Sequence, residues 1–85
     1  MRSICLRLRR GDDLLLSIRR LAEREGLRCA AVLSGVGCVT EARVRDASGV
    51  TARHIAQPCE IVSLNGTVSA ARCHLHIALS REDMT

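Results

Sequence analysis

The feature that most limits the fold of this chain is the absence of aromatic side chains: its 85 residues include no Phe, Tyr or Trp. A chain of this length forms one domain with a modest core. That core must consist of Leu, Val, Ile, Ala and Cys, which bury less area per side chain than aromatic residues do. The sequence therefore predicts a domain that is marginally stable alone and associates with itself. It also disfavours nucleic-acid binding by base stacking, which needs aromatic platforms.

The charge of the chain has two interpretations. All 13 basic residues are Arg, none is Lys, and the net charge is +4. Guanidinium groups match phosphate oxygens in a bidentate way, which favours contact with phosphates. Codon usage in a GC-rich genome also raises Arg and Ala at the expense of Lys. The arginines are scattered among nine acids, and this distribution favours the compositional explanation.

The cysteines and the N-terminal sequence bear on location. Five cysteines are an odd number, and none forms a C-x-x-C pair, which argues against a disulfide framework and a zinc ribbon. A reducing cytoplasm is the expected compartment. The opening "MRSICLRLRR" has no apolar segment typical of a signal peptide, and no window approaches the length of a membrane span. We predict a cytoplasmic protein with no membrane partner.

The first third of the chain changes hydrophobic period. Residues 2–9 alternate, with Ile4, Leu6 and Leu8 on one side, which predicts a half-buried strand. Residues 12–26 have the period of a helix, with Leu14, Ile18, Leu21 and Ala22 on one face. Asp12 or Asp13 would cap its N-terminus, and Gly26 would end it.

The remainder is typical of strands. Residues 29–39, a nearly continuous apolar run, predict a central strand, which would pair with 40–47 as an antiparallel neighbour or continue into it as one long bent strand leading into a hairpin. Residues 48–58 are predicted as a loop. Residues 59–70 predict a strand in which Asn65-Gly66 makes either a turn or a bulge, and residues 73–80 alternate clearly. The fold class is α+β: one helix packed on a mostly antiparallel, twisted sheet.

Three blocks in order, "RGDDLLLSI", "AVLSGVG" and "EIVSLNGTV", followed by "HLHIALS", resemble the PPC domain, also called DUF296. The resemblance runs from Leu6 to Leu79. This family occurs as a stand-alone protein in bacteria and archaea, and in plants it follows AT-hook segments. The resemblance implies an α+β homotrimer associated with DNA. No Arg-Gly-Arg-Pro core is present, so minor-groove reading by an AT-hook is not implied.

The sequence departs from the family in two places. The family usually has an aromatic residue before the "IVSL" strand, where this chain has Cys59. Family members continue beyond the segment equivalent to 73–80 with further strands and a Gly-Gly-His block, whereas this sequence ends at Thr85. We therefore expect residues 1–85 to be a single PPC-like domain that lacks the family's C-terminal strands.

His74 and His76 are the candidate metal ligands. At i and i+2 of a strand, their Cα atoms lie about 6.5–7 Å apart and their side chains share one face. Neutral imidazole suits divalent transition metals such as zinc; the alternative is a pair of ordinary solvent-facing histidines. The resemblance implies metal binding through this H-x-H together with the later Gly-Gly-His. Two ligands make an incomplete site, which His54 or a carboxylate of a neighbouring subunit could complete.

Arg43 and Arg45 are the candidate nucleic-acid contacts. They alternate with Ala42 and Val44 on the outward side of a predicted strand, and a solvated face is the simpler explanation. No helix-turn-helix or zinc-finger spacing accompanies them, and no G-x-S-x-G elbow supports nucleophilic catalysis. The sequence thus indicates a homo-oligomeric binding protein, DNA-associated or regulatory, rather than an enzyme. The alternative is a metal-binding protein or metal-dependent enzyme that uses His74 and His76.

Overall fold

A computed structural model describes residues 2–45, 48 and 50–85. The described chain contains one helix and six strands. They are α1 (Leu14–Glu25), β1 (Ala30–Ala31), β2 (Cys38–Val39), β3 (Ala42–Arg45), β4 (Ala52–Ile55), β5 (Cys59–Val68) and β6 (Cys73–Arg81). All pairings with a defined register are antiparallel, so the predicted α+β class is confirmed.

Helix α1 begins and ends at the residues that the sequence predicted. The Asp13 carboxylate accepts a hydrogen bond from the Leu16 backbone N–H at 2.8 Å, which satisfies one of the donors left free in the first turn. Gly26 ends the helix with φ at 61°, a left-handed conformation that costs a side-chain-bearing residue about 1–2 kcal/mol. Ala22 is fully buried on the predicted apolar face.

Strand β5 is the centre of a four-stranded sheet in the order β1-β5-β2, with β6 also paired to β5. It runs without a turn through Asn65 and Gly66, so one long strand is the correct interpretation of that dipeptide. Gly66 has φ at 140°, a conformation that glycine adopts without strain.

The apolar run 29–39 does not form the central strand, and that prediction is wrong. Only Ala30–Ala31 and Cys38–Val39 are strands, and both pair with β5. Ala30 is opposite Val68 and Cys38 is opposite Glu60. Because the two pairs are separated by the same number of residues on both sides, the short strands share one register with β5. The alternation of β5 shifts in between, where two consecutive residues, Val62 and Ser63, are exposed.

Strands β3 and β4 form a separate two-stranded sheet. The predicted loop at 48–58 is therefore wrong at Ala52–Ile55, because this stretch pairs with Ala42–Arg45. Gly49, within the predicted loop, lies outside the described residues, as do Asp46 and Ala47 at the end of the predicted strand 40–47. The predicted pairing of 29–39 with 40–47 is also wrong, since β3 pairs with β4.

The predicted strand at residues 2–9 is not present. A strand requires a backbone partner, and among the described residues each strand pairing involves only β1 to β6. Ile4 and Leu6 remain 40% and 38% exposed. The alternating pattern was correct as a pattern, but alternation does not create the neighbour that a strand needs.

The chain divides into two compact units. Unit 1 contains residues up to Ala31 together with Gly66–His74, and unit 2 contains Val32–Asn65 and Leu75–Thr85. Of the described residues, Ala22 and Val68 are the buried hydrophobic residues of unit 1, and Cys59 is that of unit 2. The one helix of the described chain is too short to cross a membrane.

Candidate functional site

The H-x-H pair lies on β6. His74 and His76 are both exposed, whereas the alternating residues Cys73, Leu75 and Ile77 are partly buried. Residues two apart in a strand point to the same side, so the two imidazoles extend from the same exposed side of β6, as predicted. The local cause is the strict alternation of "CHLHIAL", which directs the aliphatic side chains to the partly buried side.

The described residues supply no further ligand for this pair. Among residues 2–45, 48 and 50–85, no group of three or more His, Cys, Asp or Glu side chains could hold a metal ion. His54 does not join the pair; its Nε2 lies 2.8 Å from Oε2 of Glu41. Two imidazoles have the right chemistry for zinc, but a stable site needs three or four protein ligands. The donors therefore fit a metal in type and not in number.

Arg43 and Arg45 lie on one face of the β3–β4 hairpin. Arg43 is opposite His54 and Arg45 is opposite Ala52 in the ladder, and directly opposite residues share a face of the sheet. Both arginines are exposed, while Ala42 and Val44 are partly buried. Both arginines therefore point outward from the strand, as the sequence predicted.

Glu41 adds a negative charge to this hairpin face and so reduces its net positive charge. It precedes Arg43 by two residues, and it reaches diagonally across to His54. The side chains of His54 and Glu41 are 47% and 64% exposed, so the pair contributes about 0–1 kcal/mol. The face combines two guanidinium groups, which can bind phosphate oxygens, with one carboxylate that opposes such binding.

A tight turn follows β6 at the end of unit 2. The Asp83 carboxylate accepts hydrogen bonds from the Thr85 hydroxyl at 2.6 Å and from the Thr85 backbone N–H at 3.1 Å. The Thr85 hydroxyl, the Thr85 N–H and then the Arg81 charge lower the pKa of Asp83, because each favours the ionised carboxylate. The guanidinium of Arg81 also hydrogen-bonds the Thr85 hydroxyl.

Sequence reasoning missed a depression in unit 1. It has a volume of about 320 Å³ and is lined by Arg28, Cys29, Thr67, Val68, Ser69, Arg72 and His74. Arg28 follows α1 and Arg72 precedes β6, so no local spacing links them. The only signal in the sequence was Ser69, a residue type favoured in turns, near the end of the predicted strand 59–70.

The chain belongs to the Plants and Prokaryotes Conserved (PCC) domain family, whose profile matches residues 1–85. This match confirms the resemblance that the three blocks and the H-x-H indicated.

Two curated relatives and one solved structure are similar. The chain is 33% identical over 75 residues to the bifunctional protein GlmU of Synechococcus sp. strain JA-3-3Ab, and equally to that of strain JA-2-3B'a(2-13). These matches cover 88% of this chain but only 12% of each GlmU. A hypothetical protein from Salmonella cholerae-suis, also known as Salmonella enterica, matches with a TM-score of 0.90 and 28% identity. That match covers 94% of this chain and 58% of the Salmonella chain.

Proposed function

We propose that this PCC-domain chain is a homotrimeric binding protein that associates with DNA through phosphate contacts. The observation that carries the proposal is the amount of surface that a single copy exposes. One chain has 7059 Å² of accessible surface, whereas a folded monomer of this length has about 5,000 Å². The chain thus exposes roughly 2,000 Å² more than a self-contained fold of this length, and we propose that other copies cover this surface.

The size of this difference suits a ring of three. In a cyclic trimer each subunit makes two heterologous contacts, so each contact would cover about 1,000 Å² of the subunit, close to the usual 800 Å² per partner. Several exposed side chains are aliphatic, and interface cores between like chains are more apolar than the rest of the surface. Leu33, Val36 and Val62 of unit 2 are 84%, 90% and 64% exposed.

Sedimentation equilibrium over a range of micromolar concentrations tests the assembly. We expect the mass of three chains. Val62→Glu should shift the equilibrium towards monomer, because a charge would be buried without a partner. Asn65→Glu, also at an exposed position of β5, is the matched control and should leave the mass unchanged. A compact monomer of the wild-type chain at every concentration would refute the proposal.

The DNA part of the proposal rests on the hairpin face. Arg43 and Arg45 are exposed neighbours on that face, and the chain has a net charge of +4. Arginine forks can contact successive phosphates without reading base sequence. We therefore propose retention on DNA that depends on salt rather than on sequence. The five free cysteines support a reducing compartment, and we propose the cytoplasm.

A salt titration of duplex DNA binding tests this part. The plot of log K against log salt has a negative slope, and the magnitude of this slope decreases by about 0.9 for each phosphate that the protein no longer neutralises. The double variant Arg43→Ala/Arg45→Ala should therefore reduce the magnitude of the slope by about 1.8 per bound hairpin. The helix variant Arg20→Ala should leave the slope unchanged. Glu41→Gln removes the opposing carboxylate and should strengthen binding. Equal binding by all of these variants would contradict the assignment.

Metal binding through His74 and His76 is the second candidate. The observation that favours it is their shared exposed side of β6. Since the described part of the chain offers no third ligand, the remaining ligands would come from outside the described residues, and we propose another copy as their source. When bound, a metal such as zinc would supply a Lewis acid, and the two histidines would hold it.

Metal content of protein purified without chelator tests the second candidate. Wild type should retain zinc in a fixed ratio to chains, and His74→Ala/His76→Ala should lose it. Arg20→Ala, at an exposed position of α1, is the control, because arginine is not a metal ligand. A wild-type content no higher than that of the double variant would exclude the site.

A further inference from the structure

We propose that the depression in unit 1 binds the phosphate group of a small phosphomonoester. The depression, defined by the seven residues given above, shares no residue with the Arg43–Arg45 hairpin face, which belongs to unit 2. The inference stands independently of the proposed DNA function, but the depression shares His74 with the metal candidate, and the experiment below separates the two. No relative described above assigns this function to it.

The lining of the depression has one sign of charge. Arg28 and Arg72 contribute two guanidinium groups, and His74 adds an imidazole, while none of the described residues that line the depression carries a carboxylate. The chain has nine acidic residues, so a lining with positive charge alone is not what its composition would lead one to expect. A second depression nearby in unit 1, of about 330 Å³, includes Glu23 beside Arg19 and Arg72, and is therefore less suited to an anion. The exposed Thr67 hydroxyl adds a neutral donor to the first depression.

Backbone hydrogen bonds fix the position from which Arg72 extends. The Ser69 N–H donates to the Arg72 carbonyl at 2.8 Å, and the Arg72 N–H donates to the Ser69 hydroxyl at 3.0 Å. That hydroxyl in turn donates to the Arg72 carbonyl at 3.1 Å. Ser69 thus serves to close the turn between β5 and β6, and Arg72 supplies the charge.

Arg28 is placed by the end of the helix. The Leu27 N–H donates to the Ala22 carbonyl at 3.0 Å, and the Leu27 carbonyl accepts from the Ala70 N–H at 2.8 Å. The second bond joins the segment carrying Arg28 to the turn carrying Arg72. Two guanidinium groups that are distant in sequence are therefore presented by a hydrogen-bonded backbone. Preorganisation of this kind reduces the entropy cost when an anion binds.

The size and floor of the depression point to a small ligand. Its volume of about 320 Å³ is at the lower end of small-molecule sites. Val68, which is 7% exposed, and Cys29 give it an apolar part beside the charged groups. A phosphate could lie between the arginines in a bidentate manner, with a few carbon atoms of the ligand against Val68.

Titration with glycerol phosphate and with inorganic phosphate, at constant ionic strength, tests the site. Amide chemical shifts in ¹⁵N-labelled protein would be followed. We expect saturable shifts at Ala70, Arg72 and Thr67, with tighter binding of the ester. Arg72→Ala and Arg28→Ala should each weaken binding about tenfold or more. The helix variant Arg20→Ala, outside the depression, should bind like wild type.

Three outcomes would overturn the proposal. The first is the absence of saturable shifts at these amides. The second is equal affinity in the Arg28→Ala, Arg72→Ala and wild-type proteins. The third is binding abolished by EDTA, which would place the phosphate on a metal held by the histidines. The Arg72→Lys variant, which keeps the charge but not the fork, should bind with intermediate affinity and so separates loss of the site from misfolding.

Discussion

Substitution of Gly35 by alanine tests whether the irregular segment between β1 and β2 packs tightly on β5. An added Cβ would lie 2.9 Å from Leu64 Cδ2 and 3.1 Å from Leu64 Cβ. Rotation of the side chain can move Cδ2, but Cβ is fixed by the backbone, so one short contact persists. Overpacking of this kind costs about 1–3 kcal/mol, and the reduced freedom of the unfolded chain returns about 0.4–1 kcal/mol. We expect Gly35→Ala to lower the free energy of unfolding by about 1–2 kcal/mol.

A double-mutant cycle measured by urea denaturation checks this reasoning. Leu64→Ala removes Cγ and Cδ2, which lie 3.5 and 2.9 Å from the added Cβ. Gly35→Ala should therefore cost less in the Leu64→Ala background than in wild type. Ser34→Ala, at the exposed neighbouring position, is the control and should stay within about 0.5 kcal/mol. All variants must be compared at one chain concentration, because self-association raises apparent stability.

The reasoning would be refuted by either of two results. Gly35→Ala could match wild type in midpoint and slope, which would mean that the segment moves away from Leu64 at no cost. Alternatively, the substitution could cost the same in both backgrounds, which would mean that its effect comes from the backbone and not from the contact with Leu64.

Three further predictions concern the helix and the C-terminal turn. Asp13→Ala should destabilise the protein by about 1 kcal/mol through loss of the N-cap, measured by thermal unfolding; Asp12→Ala, whose carboxylate bonds the Arg9 N–H outside the helix, should cost less. Gly26→Ala should cost about 1–2 kcal/mol because alanine must adopt a left-handed conformation, and an unchanged melting temperature would contradict the cap. Thr85→Ala should raise the pKa of Asp83 in a carboxyl NMR titration, since the Thr85 hydroxyl is the largest cause of its lowered value. Because the folded pKa is lowered, the contribution of this turn is present above the ordinary pKa of Asp83 and is lost as pH falls through the folded value.

Local signals predicted the parts of the fold that depend on local physics. The ends of α1 follow from a carboxylate that accepts an N–H bond at Asp13 and from the left-handed Gly26, and both effects act within one turn. The alternation of β6 likewise follows from neighbouring residues, and it placed His74 and His76 on one side correctly.

Pairing was the part that the sequence could not determine. Residues 2–9 alternate as cleanly as β6, yet they have no partner among the described strands and form no strand. Residues 52–55 have weaker alternation but form β4, because β3 lies opposite. Local pattern indicates which side of a strand would be buried, whereas strand formation depends on long-range contacts. The same limit hid the depression, whose two arginine-bearing segments are joined by the Leu27–Ala70 hydrogen bond.

The three proposals differ in their dependence on assembly, and this difference orders the experiments. The metal candidate requires ligands beyond the described residues, because these supply two imidazoles and no larger cluster. A monomeric protein made of residues 1–85 alone should therefore hold no metal in a fixed ratio to chains. The phosphate depression is formed within unit 1 by residues of one chain, and its binding should persist in a monomeric Val62→Glu variant. Phosphomonoester binding that disappears in that variant would instead mean that a neighbouring copy helps to form the site.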